Sequence, residues 1–176
     1  MTVEKKFKET VLRLVDEDIT LMDVDAFVFY ARTDLQLGTG IGNAITMRGG
    51  PGVQEELDKI GSAQVGQAVL TSAGKLKAKN IIHAVGPTFQ EADTEGKLQK
   101  TTVAVLEAAE KNQVQKLAFP PMGSGFYGIA PDQSAQVMLA TISAHLKNKT
   151  GLKEVFICAR DPRDMKPFSA RLQAMS

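Results

Sequence analysis

The stretch Lys116-Leu-Ala-Phe-Pro-Pro-Met-Gly-Ser-Gly-Phe-Tyr-Gly128 joins a short apolar run to a glycine-rich segment. The apolar run ends at Pro120 and Pro121, which predicts a buried strand that stops at a tight turn. Beyond it, Asp132 begins a helical pattern whose apolar residues recur every three or four positions. The order is therefore strand, glycine loop, helix. In open α/β sheets, backbone N–H groups at such a junction converge on anions, so we expect the functional site here.

Length, composition and charge are those of a globular protein. The 176 residues suffice for a single core, and we predict one domain spanning residues 1–176. Hydrophobic residues make up 43% and charged residues 23% of the chain, which argues against disordered and fibrous classes. The net charge of +1 provides no global field to attract nucleic acid. No apolar run reaches the roughly 20 residues of a membrane span, so we expect no membrane partner and a cytoplasmic location.

Cysteine and histidine are too scarce for a disulfide framework or a zinc site. Cys158 is the single cysteine, and we interpret it as a small core residue. His83 lies in an apolar strand and is predicted to be buried and hydrogen-bonded. The only other histidine is His145, and the sequence contains no zinc-ligand spacing. We therefore expect no metal and no cofactor.

Strands and helices are predicted to alternate along the chain. Residues 25–31 are almost continuously apolar, as expected for a strand covered on both faces. The run that contains Lys5, Lys6 and Lys8 is interpreted as a solvated, mobile segment. The other predicted strands are 10–15, 67–72, 80–85, the run from 116, and 154–159; the predicted helices are 44–48, 53–60, 96–112, one from 132 and one beyond 162. This pattern predicts a three-layer α/β/α sandwich with a mixed, mostly buried sheet.

Two glycine-rich loops each follow a buried strand and precede a helix. They are Gly38-Thr-Gly-Ile-Gly42 and Gly123-Ser-Gly-Phe-Tyr-Gly128. Two such loops can close on opposite sides of a diphosphate through their backbone N–H groups. The alternative is that these glycines only form turns with positive φ. The spacing in the first loop does not match a dinucleotide fingerprint, and the chain lacks the Gly-Lys-Ser or Gly-Lys-Thr of a triphosphate loop.

Several segments support a more specific interpretation. They are Glu17-Asp-Ile-Thr20, Val24-Asp-Ala26, Leu35 with the loop through Ile45, Gly66-Gln-Ala-Val-Leu-Thr71, Ile82-His-Ala-Val-Gly-Pro87, and Ala118-Phe-Pro120 with Gly125-Phe-Tyr-Gly128. In order and spacing the chain resembles the macrodomain family, which binds ADP-ribose, from about Leu14 to Asp161. The resemblance implies that ADP-ribose or an ADP-ribosylated protein is the partner.

The resemblance also implies roles for individual residues. Asp18 resembles the carboxylate that accepts a hydrogen bond from the adenine amino group, with Ile19 as its backbone neighbour. Arg160 falls where many members have an aromatic residue over adenine, and a guanidinium can also stack on a base. The two loops resemble those on either side of the diphosphate, with Phe126 or Tyr127 beside the far ribose. Their residues are Gly38, Thr39, Gly40, Ile41 and Gly42 in the first loop, and Gly123, Ser124, Gly125, Phe126 and Tyr127 in the second.

The chain departs from the family's hydrolytic pattern at two places. Hydrolytic members commonly have an Asn-Ala-Ala-Asn run where this chain has Phe29-Tyr-Ala-Arg32, and some have an aspartate where it has Gly42. Without that amide and that carboxylate, the best-known arrangement for positioning water is missing, which favours binding over turnover. Arg32 could clamp the phosphate or the far ribose, or it could partly fill the pocket. If hydrolysis occurs, Asp34 beside the first loop is the candidate base, and Arg32 is a further candidate catalytic residue.

Three functions follow from these observations. The favoured one is a reader that binds ADP-ribose or a related nucleotide diphosphate. The first alternative is a hydrolase of ADP-ribosyl or ADP-ribose 1''-phosphate substrates that uses Asp34, Arg32 and Tyr127. The second alternative is a nucleic-acid or protein-interaction module with a vestigial pocket, since Phe29 and Arg32 crowd the site.

Overall fold

Seven strands form one sheet between two helix layers in the structure, a computed structural model that describes residues 3–175. The strands are β1 (Val3–Phe7), β2 (Thr10–Val15), β3 (Ala26–Ala31), β4 (Gln67–Ser72), β5 (Asn80–Val85), β6 (Lys116–Phe119) and β7 (Glu154–Cys158). The helices are α1 (Ile41–Gly49), α2 (Gly52–Ile60), α3 (Thr94–Lys111), α4 (Pro131–Leu146) and α5 (Pro162–Ala174). The predicted three-layer α/β/α architecture is confirmed. None of these helices has the length and apolarity needed to cross a membrane.

The sheet is parallel at its centre and antiparallel at its edges. Its strand order is β1-β2-β7-β6-β3-β5-β4, and the five central strands run parallel. β1 and β4 pair antiparallel with β2 and β5 at the two edges. Helices cover the central strands on both faces, which explains why β3 is apolar throughout.

The sheet separates two apolar cores. On one face, α3, α4 and α5 contribute buried residues such as Leu98, Met138 and Phe168. On the other face, α1 and α2 contribute Ile45 and Leu57. Neighbouring residues of each central strand point to opposite cores because strand side chains alternate. Burial on both faces holds the ends of these strands in fixed positions.

The amino-terminal segment is a strand, so the prediction of a mobile segment from its lysines was wrong. β1 pairs with β2 from Val3 opposite Leu14 to Phe7 opposite Thr10. Phe7 is buried in the core that α3, α4 and α5 cover, whereas Lys6 is exposed. The lysines are consistent with an edge strand, where charged side chains discourage pairing with another sheet.

Helix α1 begins at Ile41, inside the first glycine loop, and not at residue 44 as predicted. Gly40 precedes the helix with φ +63°, and a Cβ there would meet nothing within 4 Å. The backbone conformation, and not lack of space, therefore favours glycine at this position. As a consequence, the first turn of α1 forms part of the loop that was predicted to bind the diphosphate.

Candidate functional site

A cleft of about 680 Å³ opens at the carboxyl ends of the parallel strands. Its walls come from the segments that follow β2, β3, β6 and β7, the edge at which open α/β sheets bind ligands. The volume lies in the range of small-molecule sites. Most of the predicted site residues line this cleft: Asp18, Ile19, Arg32, Gly38, Thr39, Gly40, Ile41, Gly123, Ser124, Phe126, Tyr127 and Arg160. The three others, Asp34, Gly42 and Gly125, do not belong to its lining.

The first loop is held in place by a side chain from α2. Gln54 Oε1 accepts a hydrogen bond from the backbone N of Leu37 at 3.0 Å, and Gln54 Nε2 donates to the backbone O of Leu35 at 3.2 Å. The loop then enters α1, whose first N–H groups have no partner within the helix and favour an anion. Sequence reasoning missed Gln54 because its partners lie 17 and 19 residues away along the chain.

Gly42 lies beneath the first loop and not in the cleft wall. A Cβ at this position would lie only 1.7 Å from the backbone oxygen of Leu37. No side chain, aspartate included, fits at residue 42 unless the loop backbone moves. The carboxylate that some hydrolytic family members have at this position is therefore excluded by the loop conformation as well as by the sequence.

The second loop forms the opposite wall of the cleft. It contains a 3-10 turn, Gly125–Tyr127, and is closed by a hydrogen bond from Ile129 N to Gly123 O at 2.9 Å. Phe126 lines the cleft and is 97% exposed, so its ring projects into solvent at the rim. Tyr127 packs edge-on against Tyr30, with ring centroids 4.8 Å apart. An exposed ring and a packed ring therefore stand side by side on this wall.

Phe29 and Arg32 line the cleft without closing it. The Phe29 ring packs edge-on against His83, with centroids 5.9 Å apart. Arg32 Nη2 donates to Asp34 Oδ2 at 2.7 Å, and the other oxygen of Asp34 accepts from the backbone N of Gln36. Arg32 thus faces the ligand space, whereas the Asp34 carboxylate is hydrogen-bonded outside the lining. This placement does not support Asp34 as a base.

At the opposite end, the Asp18 carboxylate is surrounded by donors. Its Oδ1 accepts from Thr20 N at 3.0 Å and from Thr20 Oγ1 at 2.7 Å, while its Oδ2 accepts from Arg48 Nη1 at 2.8 Å. Arg160 Nη1 lies 3.9 Å from the same Oδ2. Burial raises the pKa of Asp18, but the hydrogen bonds from Arg48 and Thr20 outweigh it, so the pKa is lowered and the carboxylate is ionised at neutral pH. Sequence reasoning missed Arg48, which lies 30 residues from Asp18.

Cys158 and Asp164 are among the further cleft residues that carry titratable groups. Cys158 is 5% exposed, and burial raises its pKa to about 12, so the thiol is protonated and is not a nucleophile at neutral pH. Burial also raises the pKa of Asp164, while the Ser124 hydroxyl acts in the opposite direction. Within residues 3–175, no group of three His, Cys, Asp or Glu side chains is arranged to hold a metal ion.

His83 lies behind Phe29 and is 0% exposed. Its Nε2 is 2.8 Å from Thr71 Oγ1, which confirms the prediction of a buried, hydrogen-bonded histidine. Among the described residues, its Nδ1 has no hydrogen-bond partner. Burial lowers the pKa of His83 to about 4, so the ring is neutral at physiological pH.

Comparison with known proteins identifies the family. The sequence model of the Macro domain family matches residues 30–138. A macro domain-containing protein of Caldanaerobacter subterraneus subsp. tengcongensis is 34% identical over 164 residues, covering 90% of this chain and 93% of that protein. A protein of Salmonella gallinarum named O-acetyl-ADP-ribose deacetylase is 33% identical over 170 residues, covering 92% of this chain and 93% of that protein.

The fold agrees with this assignment. The structure of an Oceanobacillus iheyensis macrodomain with ADP superposes with a TM-score of 0.93 at 23% identity, covering 98% of this chain and 95% of that one. At 23% identity this similarity shows only a shared fold. The family assignment rests on the relatives of higher sequence identity and on the family model. The chain therefore belongs to the macro domain family.

Proposed function

We propose that this chain binds ADP-ribose, free or attached to protein, and acts as a reader that does not hydrolyse it. The observation that carries the proposal is that both glycine loops and the Asp18 carboxylate line one cleft. An ionised acceptor thus lies in the same cavity as the backbone of two diphosphate-type loops. The Oceanobacillus iheyensis macrodomain, which has the same fold, was solved with ADP, and this supports a nucleotide diphosphate as the class of ligand.

The proposed ligand fits the distribution of groups in the cleft. The adenine lies at the end formed by Asp18 and Arg160, where its amino group donates to the carboxylate. The diphosphate lies between the two loops, where the N-terminus of α1 favours negative charge. The far ribose lies towards Arg32 and Tyr127. The exposed ring of Phe126 borders the rim, beyond which a protein attached to the ADP-ribose would extend into solvent.

Isothermal titration calorimetry with ADP-ribose tests the proposal. We expect saturable binding in the micromolar range and at least tenfold weaker binding by Asp18→Ala, because a hydrogen bond to a charged group is lost. Asp132→Ala is the matched control, since Asp132 pairs with Arg171 outside the cleft lining. Absence of heat at high-micromolar ligand, or equal affinities of wild type and Asp18→Ala, contradicts the proposal.

Hydrolysis of ADP-ribosyl substrates is the second candidate function. The name of the Salmonella gallinarum relative, O-acetyl-ADP-ribose deacetylase, favours it. Asp164 adds a carboxylate in the cleft whose raised pKa suits proton transfer. Two observations argue against hydrolysis. No side chain fits at Gly42, and Asp34 lies outside the cleft lining. For these two reasons we propose binding rather than turnover.

Product analysis separates the two functions. The protein is incubated with O-acetyl-ADP-ribose, with ADP-ribose 1''-phosphate and with an ADP-ribosylated protein, beside an active family member. The reader proposal predicts no product above background for any of the three. Turnover that is lost in Asp164→Asn but kept in Asp132→Ala would instead establish the hydrolase and identify its carboxylate.

A further inference from the structure

Exposed lysines follow the edge of the sheet that lies opposite the cleft. The five parallel strands begin at this edge. Lys8, Lys153, Lys116 and Lys79 stand at or shortly before the starts of β2, β7, β6 and β5, and all four side chains are exposed. These strands are neighbours or next neighbours in the sheet, so the four lysines form a row, which we call the lysine row.

Hydrogen bonds between the strand starts make this row continuous. Lys153 N donates to Gln115 O at 2.8 Å, directly beside Lys116. Lys116 O accepts from Asp25 N at 3.1 Å, and Asp25 Oδ1 lies 3.5 Å from Lys79 Nζ. Neighbouring strands are about 4.8 Å apart, so the row from β2 to β5 is roughly 20 Å long.

Further exposed lysines extend the row in two directions. Lys111 lies in the last turn of α3, and Lys147 and Lys149 follow the last turn of α4. The segment after α4 leads into β7 and so ends at the row. Lys75 and Lys77 lie in the loop between β4 and β5, at the same edge of the sheet. We call the lysine row together with these five lysines the basic edge.

The carboxylates at this edge do not cancel its charge. Nine lysines are accompanied by five carboxylates in the segments 8–9, 23–25, 75–79, 110–116 and 147–154: Glu9, Asp23, Asp25, Glu110 and Glu154. Asp25 and Glu110 accept hydrogen bonds from backbone N–H groups, and Glu154 pairs with an arginine of β2. Within residues 3–175, only Lys79 and Lys116 of the nine lysines lie within 4.0 Å of a carboxylate oxygen.

We propose that the basic edge binds the phosphate backbone of a nucleic acid. A linear row of ammonium groups matches a linear chain of phosphates, and roughly 20 Å corresponds to about six nucleotides of one strand at 3.4 Å each. Lysine contacts phosphate as a point charge, and phosphate contacts carry no sequence information. Binding at this edge is therefore electrostatic and independent of sequence.

The composition of the basic edge favours a phosphate backbone over other anionic partners. Among residues 3–175, none of the exposed large apolar side chains lies in the segments that carry the nine lysines. The edge thus offers no ring on which a base could stack, and no apolar anchor for the surface of a membrane. Charge is the property that remains, and a linear polyanion matches the shape of the row.

Structural roles account for only part of the basic edge. Lys111 and Lys147 lie at helix ends, where a cation complements the helix dipole. The lysine row lies at strand starts, and sheets have only small net dipoles. Its ion pairs, Lys79 with Asp25 and Lys116 with Glu154, involve lysines that are 78% and 52% exposed, and such pairs stabilise folded proteins very little. We therefore expect replacement of the row to change binding more than folding.

The basic edge and the cleft lie at opposite ends of the parallel strands. The cleft edge carries carboxylates such as Asp16, Glu17 and Asp161, so the two ends differ in charge although the whole chain has a net charge of only +1. The carboxylates repel phosphates and the lysines attract them, which directs a nucleic acid to the basic edge. A nucleic acid bound there leaves the cleft open, so this inference is independent of the proposed function.

Fluorescence anisotropy with a labelled oligouridylate of about 20 nucleotides tests the inference. Uridylate is used because it lacks adenine, which the cleft is proposed to bind. We expect micromolar affinity of wild type at about 50 mM salt, and a slope of log K against log salt concentration of about −3, as for four phosphates of a single strand. The double variant Lys116→Gln with Lys153→Gln should bind about tenfold more weakly or less, and its slope should be smaller by about 1.4, because two phosphate contacts are lost.

Lys59→Gln with Lys166→Gln is the matched control. It removes the same charge from two exposed lysines outside the basic edge and should retain the wild-type affinity within about twofold. Thermal unfolding verifies that both double variants are folded. Equal affinities of the two double variants, or binding that does not depend on salt, overturns the inference.

Three further measurements distinguish other modes of binding. Oligodeoxythymidylate of the same length should bind as tightly as oligouridylate, because phosphates are the contacted groups, and a strong preference for either polymer contradicts the inference. Saturating ADP-ribose should leave the affinity for oligouridylate unchanged, whereas competition would place the oligonucleotide in the cleft and overturn it. Sedimentation with vesicles of phosphatidylserine and phosphatidylcholine tests a membrane, and binding to vesicles without binding to oligouridylate also overturns it.

Discussion

His83 is the buried residue whose titration we expect to limit stability in mild acid. Above its ordinary pKa of about 6.5, the ring is neutral in both the folded and the unfolded chain, so His83 does not lower the free energy of unfolding. Between that pH and the folded-state pKa of about 4, the unfolded chain binds a proton that the folded protein excludes. The free energy of unfolding should fall by up to about 3 kcal/mol across this interval.

Urea unfolding at a series of pH values from 7 to 4 measures this loss. His83→Gln cannot titrate and should show a flatter profile over the same interval. From about pH 4.3 downward, protonation of paired carboxylates such as Glu110 also contributes in both proteins, because the pKa of Glu110 is lowered in the folded state. Parallel profiles for wild type and His83→Gln between pH 7 and 4 would contradict the assignment.

At the residue scale, local motifs could be predicted from the sequence but long-range partners could not. Asp18 stands next to a strand end, so its place at the sheet edge follows from the chain order. Arg48 and Gln54 lie on helices, and their contacts with Asp18 and the first loop depend on how those helices pack. Asp34 stands next to the first loop in sequence, yet it does not belong to the cleft lining, and its carboxylate accepts a hydrogen bond from Arg32.

At the scale of secondary-structure elements, Gly42 in the first turn of α1 occupies a position with no room for a side chain. Alanine normally stabilises a helix interior relative to glycine. At Gly42, however, the added methyl would collide with the backbone oxygen of Leu37, so we expect Gly42→Ala to destabilise the protein by about 1–3 kcal/mol. Chemical denaturation measures the change.

Gly52→Ala is the matched control for this substitution. Gly52 begins α2, and a Cβ there would meet nothing within 4 Å, so its replacement should be neutral or slightly stabilising. Equal stability changes for the two variants would show that the backbone at Leu37 can move away from residue 42 at little cost in free energy. In that case the loop could also accept an aspartate at residue 42.

The edge strand β1 provides a second test at this scale. Phe7 is 7% exposed and belongs to the core beneath α5, so Phe7→Ala should lower the free energy of unfolding by about 3 kcal/mol. Lys6→Ala, on the exposed side of the same strand, should change it by less than about 0.5 kcal/mol. Similar small effects for both variants would indicate that β1 is not docked.

The bounds of strands and helices could be predicted where apolar residues recur in a regular pattern along the chain. β4 and β5 have the predicted bounds, and β3 differs by a single residue, because their apolar runs end at turn-forming residues. β1 was missed because Glu4, Lys5 and Lys6 are charged, which leaves Val3 and Phe7 as the only apolar residues of this strand. The early start of α1 was missed because glycines are poor helix formers, although the chain still turns there.

For the whole molecule, ligand binding should appear as added stability. A ligand that binds only the folded state at 100 times its Kd raises the free energy of unfolding by about 2.7 kcal/mol. We expect this gain from ADP-ribose with wild type and with Asp132→Ala, and about 1.4 kcal/mol or less with Asp18→Ala at the same ligand concentration, because tenfold weaker binding leaves this variant at only 10 times its Kd. Thermal unfolding with and without ADP-ribose measures it. An equal gain in all three proteins would indicate binding away from the Asp18 end of the cleft.

The pairing of β2 with β7 also has a consequence during protein synthesis. These strands lie side by side in the sheet although they are near opposite ends of the chain, and Asp18 and Arg160 follow them. A nascent chain that has not yet extruded β7 from the ribosome can form neither the completed sheet nor the end of the cleft that Asp18 and Arg160 line. Under the proposed function, nucleotide therefore cannot assist the early steps of co-translational folding, and it can stabilise only chains whose residue 160 has left the ribosome.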